Sequence, residues 1–351
     1  MMQISPETQL FIREHSSDDV RVLALQAKKY PDIDMPTAIT QIAGRKVAAE
    51  KIPSWWEIEK IWYPKHLSLE QCSSEITARY KARLLQGDSL TDLTGGFGID
   101  CSFLATGFKS ATYVERQEEL CEIAAHNFPV LNLNHINIKN EDGVTYLQAM
   151  SPVDCLFLDP ARRNEHGGKT VAISDCEPNV AELEELLLQK ANRVMIKLSP
   201  MLDLSLALKE LKQTQEVHIL SVNNECKELL ILLGQTSPAE ISIHCVNLFT
   251  KGTQKEQHFV FTREQEQCSE CTYTDSLETY LYEPNASLLK AGAFRSIAAA
   301  YPVRKLHPNS HLYTSDTFIE NFPGRIFRIV NQCSFNKKEV KENLADLKKA
   351  N

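Results

Sequence analysis

The 351-residue chain has no long apolar run: no apolar stretch of signal-peptide type lies near its start, and no segment is long enough to span a membrane. Its ten cysteines lack the regular spacing of a disulfide framework, which excludes a small secreted scaffold. Cys268 and Cys271 form a single CxxC without further paired ligands, which favours two loop thiols over a zinc site. These absences predict a soluble, cytoplasmic protein with reduced thiols, no membrane association and no metal.

Positive charge is scarce in the first 279 residues, which hold 27 lysines and arginines against 40 aspartates and glutamates. Residues 280–351 reverse the balance with 11 basic against 6 acidic side chains, although the whole chain carries a formal charge of -8. A nucleic-acid partner is therefore expected to contact the C-terminal part. A modestly basic, solvated surface is the equal alternative.

Residues 1–86 lack the alternation typical of strands and are rich in helix formers, which predicts a helical N-terminal domain. The predicted helices cover 18–29, 36–51 and 68–85. The last of them contains the polar segment Glu70–Glu75 just before the first strand. There, Gln71 or Ser74 is a candidate to face a cofactor, and an exposed helix face is the alternative.

From residue 88 the pattern changes to strands that alternate with helices, which predicts right-handed crossovers and a parallel sheet. The predicted strands cover 90–93, 111–115, 136–139, 153–158 and 194–198. The predicted helices cover 99–108, 117–128, 144–150, 180–191 and 204–211. Two further strands, 217–222 and 228–233, are separated by only five residues, too few for a parallel crossover. The sheet is therefore expected to end in an antiparallel hairpin.

The fold class predicted for residues 87–265 is α/β, a doubly wound, Rossmann-like parallel sheet closed by that hairpin. Segments 240–248 and 258–262 alternate like strands and predict one more hairpin. It either extends the main sheet or covers an edge. A small α+β domain is expected over residues 278–324.

The most informative stretch is the glycine-rich turn that follows the first strand. Its glycines let the backbone take positive φ and approach a ligand closely, and the next helix begins with unpaired N–H groups. We therefore predict a nucleotide-like cofactor here, held by Asp92, Thr94, Gly95, Gly96, Phe97 and Gly98. The glycine spacing does not fit G-x-G-x-x-G, which weakens the alternative of a nicotinamide-dependent dehydrogenase.

Acidic residues also follow the second and third strands. Glu115 stands where a carboxylate can accept hydrogen bonds from both hydroxyls of a ribose. Asp142 and Gly143 follow the third strand, where a side chain can meet an adenine amino group. The alternative is that Glu115 and Asp142 only cap the helices that follow them.

The fourth strand ends in the run Asp159-Pro160-Ala161-Arg162-Arg163. Asp159 stands where it can meet both cofactor and substrate, so we predict it to be a cofactor-facing and catalytic residue. Arg162 and Arg163 are predicted to act with it by holding a phosphate or carboxylate group. Structural pairing of one arginine with neighbouring acids is the alternative.

Several strings of the sequence resemble one family. They are Glu70–Glu75, Asp92–Asp100, Leu158–Arg163, Lys197–Asp203 and Asn224–Leu229. With the glycine turn as motif I, they resemble the bacterial class I S-adenosylmethionine-dependent methyltransferases that carry a THUMP-like domain. The downstream strings 282–286, 288–292 and 306–314 resemble the small ferredoxin-like domain of the same proteins.

The resemblance implies S-adenosylmethionine as the cofactor, with Asp92 paired to its cationic amino group, and RNA, either tRNA or rRNA, as the substrate. It also implies that residues 325–351 are the truncated start of a THUMP-like domain, with a strand at 326–330 and one helix. In amino-methyltransferases the fourth strand is followed by an Asp or Asn, two prolines and an aromatic residue. Only Asp159-Pro160 matches, which weakens amine methylation. A non-catalytic RNA-binding protein that kept this fold is the alternative function.

Two further candidates stay open. Cys226 is either the nucleophile that carbon-5 pyrimidine methylation requires or a structural thiol in a tight hairpin. The small domain also interleaves basic and aromatic residues, as single-stranded RNA binders do, unless its aromatic residues form the core. These residues are Lys290, Phe294, Arg295, Tyr301, Arg304, Lys305, His307 and Tyr313.

Overall fold

A computed structural model of the chain describes residues 4–162, 172–236, 238–334 and 336–343. Its contacts divide the chain into two compact units. Unit 1 comprises Met1–Val217 and Glu228–Ala239, and unit 2 comprises His218–Lys227 and Glu240–Asn351. Within the described ranges, no helix combines the length and apolar character needed to cross a membrane.

Unit 1 begins with helices, as the sequence predicts. They are α1 (Pro6–Glu14), α2 (Val20–Leu25), α3 (Met35–Lys51), α4 (Pro53–Trp56), α5 (His66–Gln71) and α6 (Glu75–Ala82). The single helix predicted over 68–85 is wrong, because the backbone is extended at Cys72 and Ser74 and separates α5 from α6. Serine favours helix ends over helix interiors, since its hydroxyl bonds nearby polar groups. Here the Ser73 hydroxyl forms hydrogen bonds with buried charged groups, and the helix is interrupted at this residue.

Strands and helices then alternate along the chain. The strands are β1 (Ser89–Asp92), β2 (Ser110–Glu115), β3 (Ile136–Asn140), β4 (Val153–Leu158), β5 (Ala161–Arg162), β6 (Cys176–Glu177), β7 (Ala191–Leu198), β8 (Thr214–Val222) and β9 (Glu225–Gly234). The helices are α7 (Ile99–Ala105), α8 (Glu118–Val130), α9 (Gly143–Ala149), α10 (Val180–Lys190) and α11 (Leu204–Glu210). In the large sheet these strands have the order β8-β9-β7-β4-β1-β2-β3. Its last five strands are parallel, and β9 runs antiparallel to β7.

The antiparallel hairpin predicted at the end of the parallel strands is formed by β8 and β9. Its turn has only two residues, Asn223 and Asn224, with φ of 49° and 67°. Asparagine tolerates positive φ better than most residues, and such turns match the twist of the flanking strands. Both strands are therefore longer than the sequence pattern indicates. The five parallel strands and this hairpin confirm the predicted large, parallel-rich α/β sheet.

Unit 2 contains a hairpin and a small antiparallel sheet. Its strands are β10 (Ser242–Leu248), β11 (Glu256–Thr262), β12 (Tyr280–Pro284), β13 (Arg304–Lys305), β14 (Tyr313–Ser315) and β15 (Gly324–Arg328). Its helices are α12 (Arg263–Cys268), α13 (Ala286–Ala291), α14 (Ser296–Ala300) and α15 (Lys337–Asn343). The extra hairpin predicted from the sequence is β10–β11, whose strands pair antiparallel from Ser242 opposite Thr262 to Leu248 opposite Glu256.

The small sheet has the order β13-β14-β12-β15. The strand predicted at 326–330 is β15, which pairs antiparallel with β12 from Gly324 to Arg328. Its backbone hydrogen bonds therefore belong to the small sheet. The THUMP-like assignment of residues 325–351 stays a prediction, and its last part, residues 344–351, lies outside the described residues.

The N-terminal helices and the glycine turn share one hydrophobic core. Trp55 and Tyr63 pack against Phe97, with ring centroids 5.2 and 6.2 Å apart respectively, and all three side chains are buried. The same cluster contains Ile99 and Ile123 from the helices that follow β1 and β2. The contacts therefore do not follow the sequence boundary at residue 86, and the domain boundaries drawn from the sequence remain predictions.

Candidate functional site

The turn after β1 requires glycine at three positions, for lack of space at one and for positive φ at two. A Cβ on Gly95 would lie 2.2 Å from the Tyr113 ring, and Gly96 and Gly98 have φ of 55° and 87°. Glycine is the residue that adopts such φ values without strain. The Tyr113 hydroxyl donates to the Gly96 carbonyl oxygen, with an O···O distance of 2.5 Å. The neighbouring strand β2 therefore fixes the path of the turn.

Asp92 ends β1 and is 1% exposed. Its Oδ1 accepts a hydrogen bond from the Thr94 N–H at 3.0 Å, whereas its buried Oδ2 has no partner among the described residues. Burial raises the pKa of Asp92 well above its usual range, and the Thr94 N–H only partly opposes this. An unpaired buried acceptor costs about 1–3 kcal/mol, and more when it is charged. Asp92 is therefore placed to accept from a cationic ligand group.

Glu115, at the end of β2, ties that strand to the glycine turn. One carboxylate oxygen accepts from the Gly96 N–H at 2.9 Å, and the other accepts from the Gln117 N–H at 2.8 Å. Each carboxylate oxygen has two acceptor positions, so two remain for other donors. Glu115 thus orders the turn and keeps the capacity to bind two hydroxyl groups.

Asp142 is the N-cap of α9, as the capping alternative states. Its Oδ1 accepts from the N–H groups of Val144 and Thr145, both at 3.0 Å. A Cβ on Gly143 would lie 2.2 Å from the Leu93 carbonyl oxygen, so α9 begins directly against the turn after β1. This close approach brings the Asp142 position to the same edge of the sheet as the glycine turn.

Thr94 links the first strand end to the fourth. Its N–H donates to Asp92, and its hydroxyl oxygen accepts from the Asp159 N–H at 2.6 Å. The neighbouring Phe97 is buried in the hydrophobic core, where it fixes the turn. The structure therefore brings the predicted residues Asp92, Thr94, Glu115 and Asp159 together at one edge of the sheet.

Asp159 forms an ion pair with Lys197, with 2.5 Å between its Oδ2 and the lysine Nζ. Asp159 directly follows β4, and Lys197 is the next-to-last residue of β7, the adjacent parallel strand. The side chain of Asp159 is 37% exposed and that of Lys197 only 10% exposed. The carboxylate is therefore accessible, and a more deeply buried ammonium group holds one of its oxygens.

A cluster of buried polar side chains, here called the charge cluster, surrounds this lysine. It consists of Ser73, Lys81, Asp100, Lys197 and Glu228. The Nζ of Lys81 lies 2.7 and 2.9 Å from the two carboxylate oxygens of Glu228, 3.1 Å from Asp100 Oδ1 and 2.9 Å from the Ser73 hydroxyl. That hydroxyl donates to Asp100 at 2.7 Å and accepts from Lys197 at 3.2 Å. Both lysines are thus paired within unit 1.

The protonation states in the charge cluster follow from these contacts. Burial alone disfavours the ammonium form of Lys197, but the carboxylates of Asp159, Asp100 and Glu228 outweigh it and raise the pKa of Lys197. Burial also opposes ionisation of Asp100, but Lys81 and Lys197 lower its pKa. Burial raises the pKa of Asp159, although Lys197 opposes the shift. Lys197 therefore remains an ammonium group at neutral pH.

The charge cluster was not predicted from the sequence, although each family-like string contributes one member to it or to its ion pair. The contributed residues are Ser73, Asp100, Asp159, Lys197 and Glu228. The sequence favoured Gln71 or Ser74 over Ser73 in its string. Lys81 was not predicted from the sequence either. The feature that could have indicated it is its position four residues after Thr77, on the buried face of α6, where a charged residue is unusual.

The predicted arginines after the fourth strand are only partly described. The backbone of Arg162 pairs with Cys176 in the ribbon β5–β6, which was not predicted. The side chain of Arg162 and the whole of Arg163 lie outside what the structure describes. Their roles in substrate binding stay predictions.

The basic and aromatic residues of the small domain do not all face solvent. Lys305 and Tyr313 are buried, and the Lys305 ammonium donates to the Pro308 carbonyl at 2.9 Å. The Tyr313 hydroxyl donates to the carbonyl oxygen of Phe294. These contacts favour the core interpretation for this part of the set, whereas Arg295 remains exposed.

Fold and site together define an α/β protein whose candidate ligand-binding residues gather at the carboxyl ends of parallel strands. A ferredoxin-like domain family matches residues 280–323, which confirms the small domain expected from the sequence. The crystal structure of a "putative methyltransferase" from Porphyromonas gingivalis W83 matches with a TM-score of 0.84 and 34% sequence identity. The match covers 98% of this chain and 87% of that chain. The chain belongs to the family of that Porphyromonas gingivalis protein.

Other matches are much more distant. An rRNA methylase from Streptococcus thermophilus has a TM-score of 0.33 and 14% identity over 45% of this chain and 93% of that chain. A "putative methyltransferase" from Streptococcus mutans in complex with SAH has a TM-score of 0.33 and 14% identity over 46% of this chain and 96% of that chain. Similarity this low says nothing about the function of the present chain. No curated protein matches it.

Proposed function

We propose that this chain is a cytoplasmic S-adenosylmethionine-dependent methyltransferase that modifies RNA, either tRNA or rRNA. Family membership supports the methyltransferase class, since the Porphyromonas gingivalis relative is similar over nearly the whole chain. The ten cysteines are free thiols, in keeping with a reducing compartment. The positive excess of residues 280–351 supports a polyanionic substrate.

The single observation that carries the cofactor assignment is the unpaired, buried Oδ2 of Asp92 beside the glycine turn. The cationic amino group of S-adenosylmethionine would satisfy this oxygen, and the free acceptor positions of Glu115 suit its ribose hydroxyls. When bound, S-adenosylmethionine supplies a methyl group activated by the adjacent positive sulfur. The chain's own residues then have to hold and orient the acceptor.

Asp159 is the residue expected to meet that acceptor. Its N–H bonds Thr94 of the cofactor turn, while its carboxylate is 37% exposed and held by Lys197. Asp159→Ala should therefore lower methyl transfer by about 100-fold or more and leave S-adenosylhomocysteine affinity within a few-fold. The matched control is Asp203→Ala, which removes an exposed helix cap in the same unit. Methyl transfer by this variant should be unchanged.

The experiment combines isothermal calorimetry with transfer of a labelled methyl group. The protein should bind S-adenosylmethionine and S-adenosylhomocysteine but not the nicotinamide dinucleotides, and it should label unmodified tRNA or rRNA transcripts. Binding of a nicotinamide dinucleotide instead would overturn the cofactor assignment. Tight S-adenosylhomocysteine binding without any labelled RNA would leave the fold assignment intact and contradict the RNA substrate.

A further inference from the structure

We propose that the acceptor atom is a hydroxyl oxygen, and that in RNA it is the ribose 2′-hydroxyl, with Asp159 as the proton acceptor and Lys197 as the cation that stabilises the reacting oxygen. This inference rests on the proposed function and specifies its substrate chemistry. It starts from the 2.5 Å ion pair between the two residues at the edge where the glycine turn lies.

A hydroxyl is a weak nucleophile and has to lose its proton during methylation, so it needs a base and benefits from a nearby positive charge. Asp159 is an accessible carboxylate, and Lys197 is held as an ammonium group by three carboxylates. Any hydroxyl that donates to Asp159 therefore lies close to the Lys197 ammonium. Negative charge that develops on the oxygen is stabilised there.

The same ammonium group opposes an amine acceptor. An amine nitrogen bonds to the methyl carbon before it loses a proton, so it becomes positively charged beside Lys197, which is electrostatically unfavourable. An aromatic side chain that would stack on a base is also missing from the positions after Asp159, where the chain has Pro160, Ala161 and Arg162. The local charge and composition thus favour oxygen over nitrogen.

Carbon-5 methylation of a pyrimidine requires a thiolate nucleophile. Cys72, next to Ser73 of the charge cluster, has its pKa raised to about 11 by burial, so it stays a thiol at neutral pH. A protonated thiol beside the charge cluster gives no support to a carbon acceptor, and the role of Cys226 stays a prediction.

The balanced step is a direct transfer. The hydroxyl oxygen forms a bond to the methyl carbon while the carbon–sulfur bond of the donor breaks, and the bonding electron pair stays on sulfur. The hydroxyl proton passes to the Asp159 carboxylate, which becomes a neutral acid. Lys197 keeps its proton throughout and remains beside the oxygen. Within an RNA strand the 3′ and 5′ oxygens are esterified to phosphate, so the 2′-hydroxyl is the free ribose hydroxyl. The same group distinguishes RNA from DNA.

The test uses the full chain, labelled S-adenosylmethionine and unmodified tRNA and rRNA transcripts. Because 2′-O-methylation blocks alkaline cleavage, the label is expected in alkali-resistant dinucleotides, and DNA of the same sequence should accept none. Label on a base would overturn the hydroxyl assignment but keep the proposed methyltransferase. Absence of label in every RNA would overturn both the RNA substrate and this inference.

A second readout does not depend on turnover. Carboxyl carbon NMR of Asp159 should show its pKa move upward in Lys197→Met, because the nearest positive charge is lost while Asp100 remains and Lys81 lies farther away. Lys197→Arg, which keeps the charge, should shift it less. Lys190→Met, which removes the lysine that ends α10 just before β7 begins, should not shift it. An unchanged Asp159 titration in Lys197→Met would overturn the inference.

Activity of the same variants completes the test. Lys197→Met should lower transfer by about 100–1000-fold, the usual loss for a group that stabilises a reacting oxygen, while S-adenosylhomocysteine affinity changes only a few-fold. Lys197→Arg should recover part of the loss. Equal activity of the methionine and wild-type proteins, each checked by circular dichroism, would contradict the role given to Lys197.

Discussion

Replacing Asp92 by asparagine should raise the stability of the ligand-free protein and weaken ligand binding. The carboxylate is buried, and its Oδ2 has no partner among the described residues. Asparagine keeps an acceptor for the Thr94 N–H but removes the buried charge. Because an unpaired buried charge costs more than an unpaired neutral group, the ligand-free variant should be more stable near pH 7 by on the order of 1 kcal/mol.

The pH dependence fixes the sign of this effect. The folded-state pKa of Asp92 is raised above the unfolded value of about 3.9, so the folded protein holds this proton more tightly than the unfolded chain. Wild-type stability therefore falls as the pH rises from about 4 through the folded pKa, and the asparagine variant lacks that decrease. Below about pH 4 the two proteins should have similar stability.

Ligand binding should respond in the opposite way. Loss of a charge-assisted bond to the amino group should weaken S-adenosylhomocysteine binding by about 1.5–3 kcal/mol, roughly 10- to 150-fold. Wild-type affinity should rise as the pH increases through the raised pKa of Asp92, whereas the affinity of Asp92→Asn should stay flat.

The assays are urea unfolding and calorimetric titration at a series of pH values from about 4 upward. Asp154→Ala is the control: it removes the acceptor of hydrogen bonds that Asp88 and Ser89 donate at the other end of the strands, so it should destabilise the fold and leave affinity unchanged. A less stable Asp92→Asn protein with wild-type affinity would contradict the assignment of Asp92 to the amino group of the ligand.

Three further changes test other contacts. Glu115→Ala should weaken S-adenosylhomocysteine binding by about 1.5–3 kcal/mol in calorimetry, and unchanged affinity would remove Glu115 from the ribose site. Lys81→Met should lower the free energy of unfolding by about 3–5 kcal/mol, because it leaves buried carboxylates unpaired; adding Glu228→Gln should restore part of this, and full additivity would contradict the pairing. Gly143→Ala should destabilise the protein by more than about 1 kcal/mol in urea unfolding, because its Cβ would meet the Leu93 carbonyl at 2.2 Å; wild-type stability would contradict that close approach.

The sequence predicted the large sheet well because its signals are local. Apolar strands alternate with amphipathic helices, and the short connection between β8 and β9 allows only a hairpin. The break between α5 and α6 was not predicted, because helix propensity alone does not show that Ser73 bonds Asp100 and Lys81, residues distant in sequence. Tertiary hydrogen bonds decided that segment.

In the candidate site, too, local sequence signals predict some residues, and tertiary contacts decide the others. Asp92, Glu115 and Asp159 were predictable because each ends a strand whose carboxyl end lies at one edge of the sheet. Lys197 also ends a strand, but a lysine after an apolar run is ordinarily a solvated charge, so its burial was not expected. Lys81 comes from a helix far earlier in the chain. Its partner Glu228 lies 147 residues away, and no local pattern records such a pairing.

A crystal structure of this protein with bound S-adenosylhomocysteine would test the cofactor site directly. We expect the ligand's amino nitrogen about 3 Å from Asp92 Oδ2 and its ribose hydroxyls on Glu115, with the sulfur directed toward Asp159. A ligand bound elsewhere on the chain, or an Asp92 Oδ2 that stays without a partner at saturating ligand, would contradict this expectation.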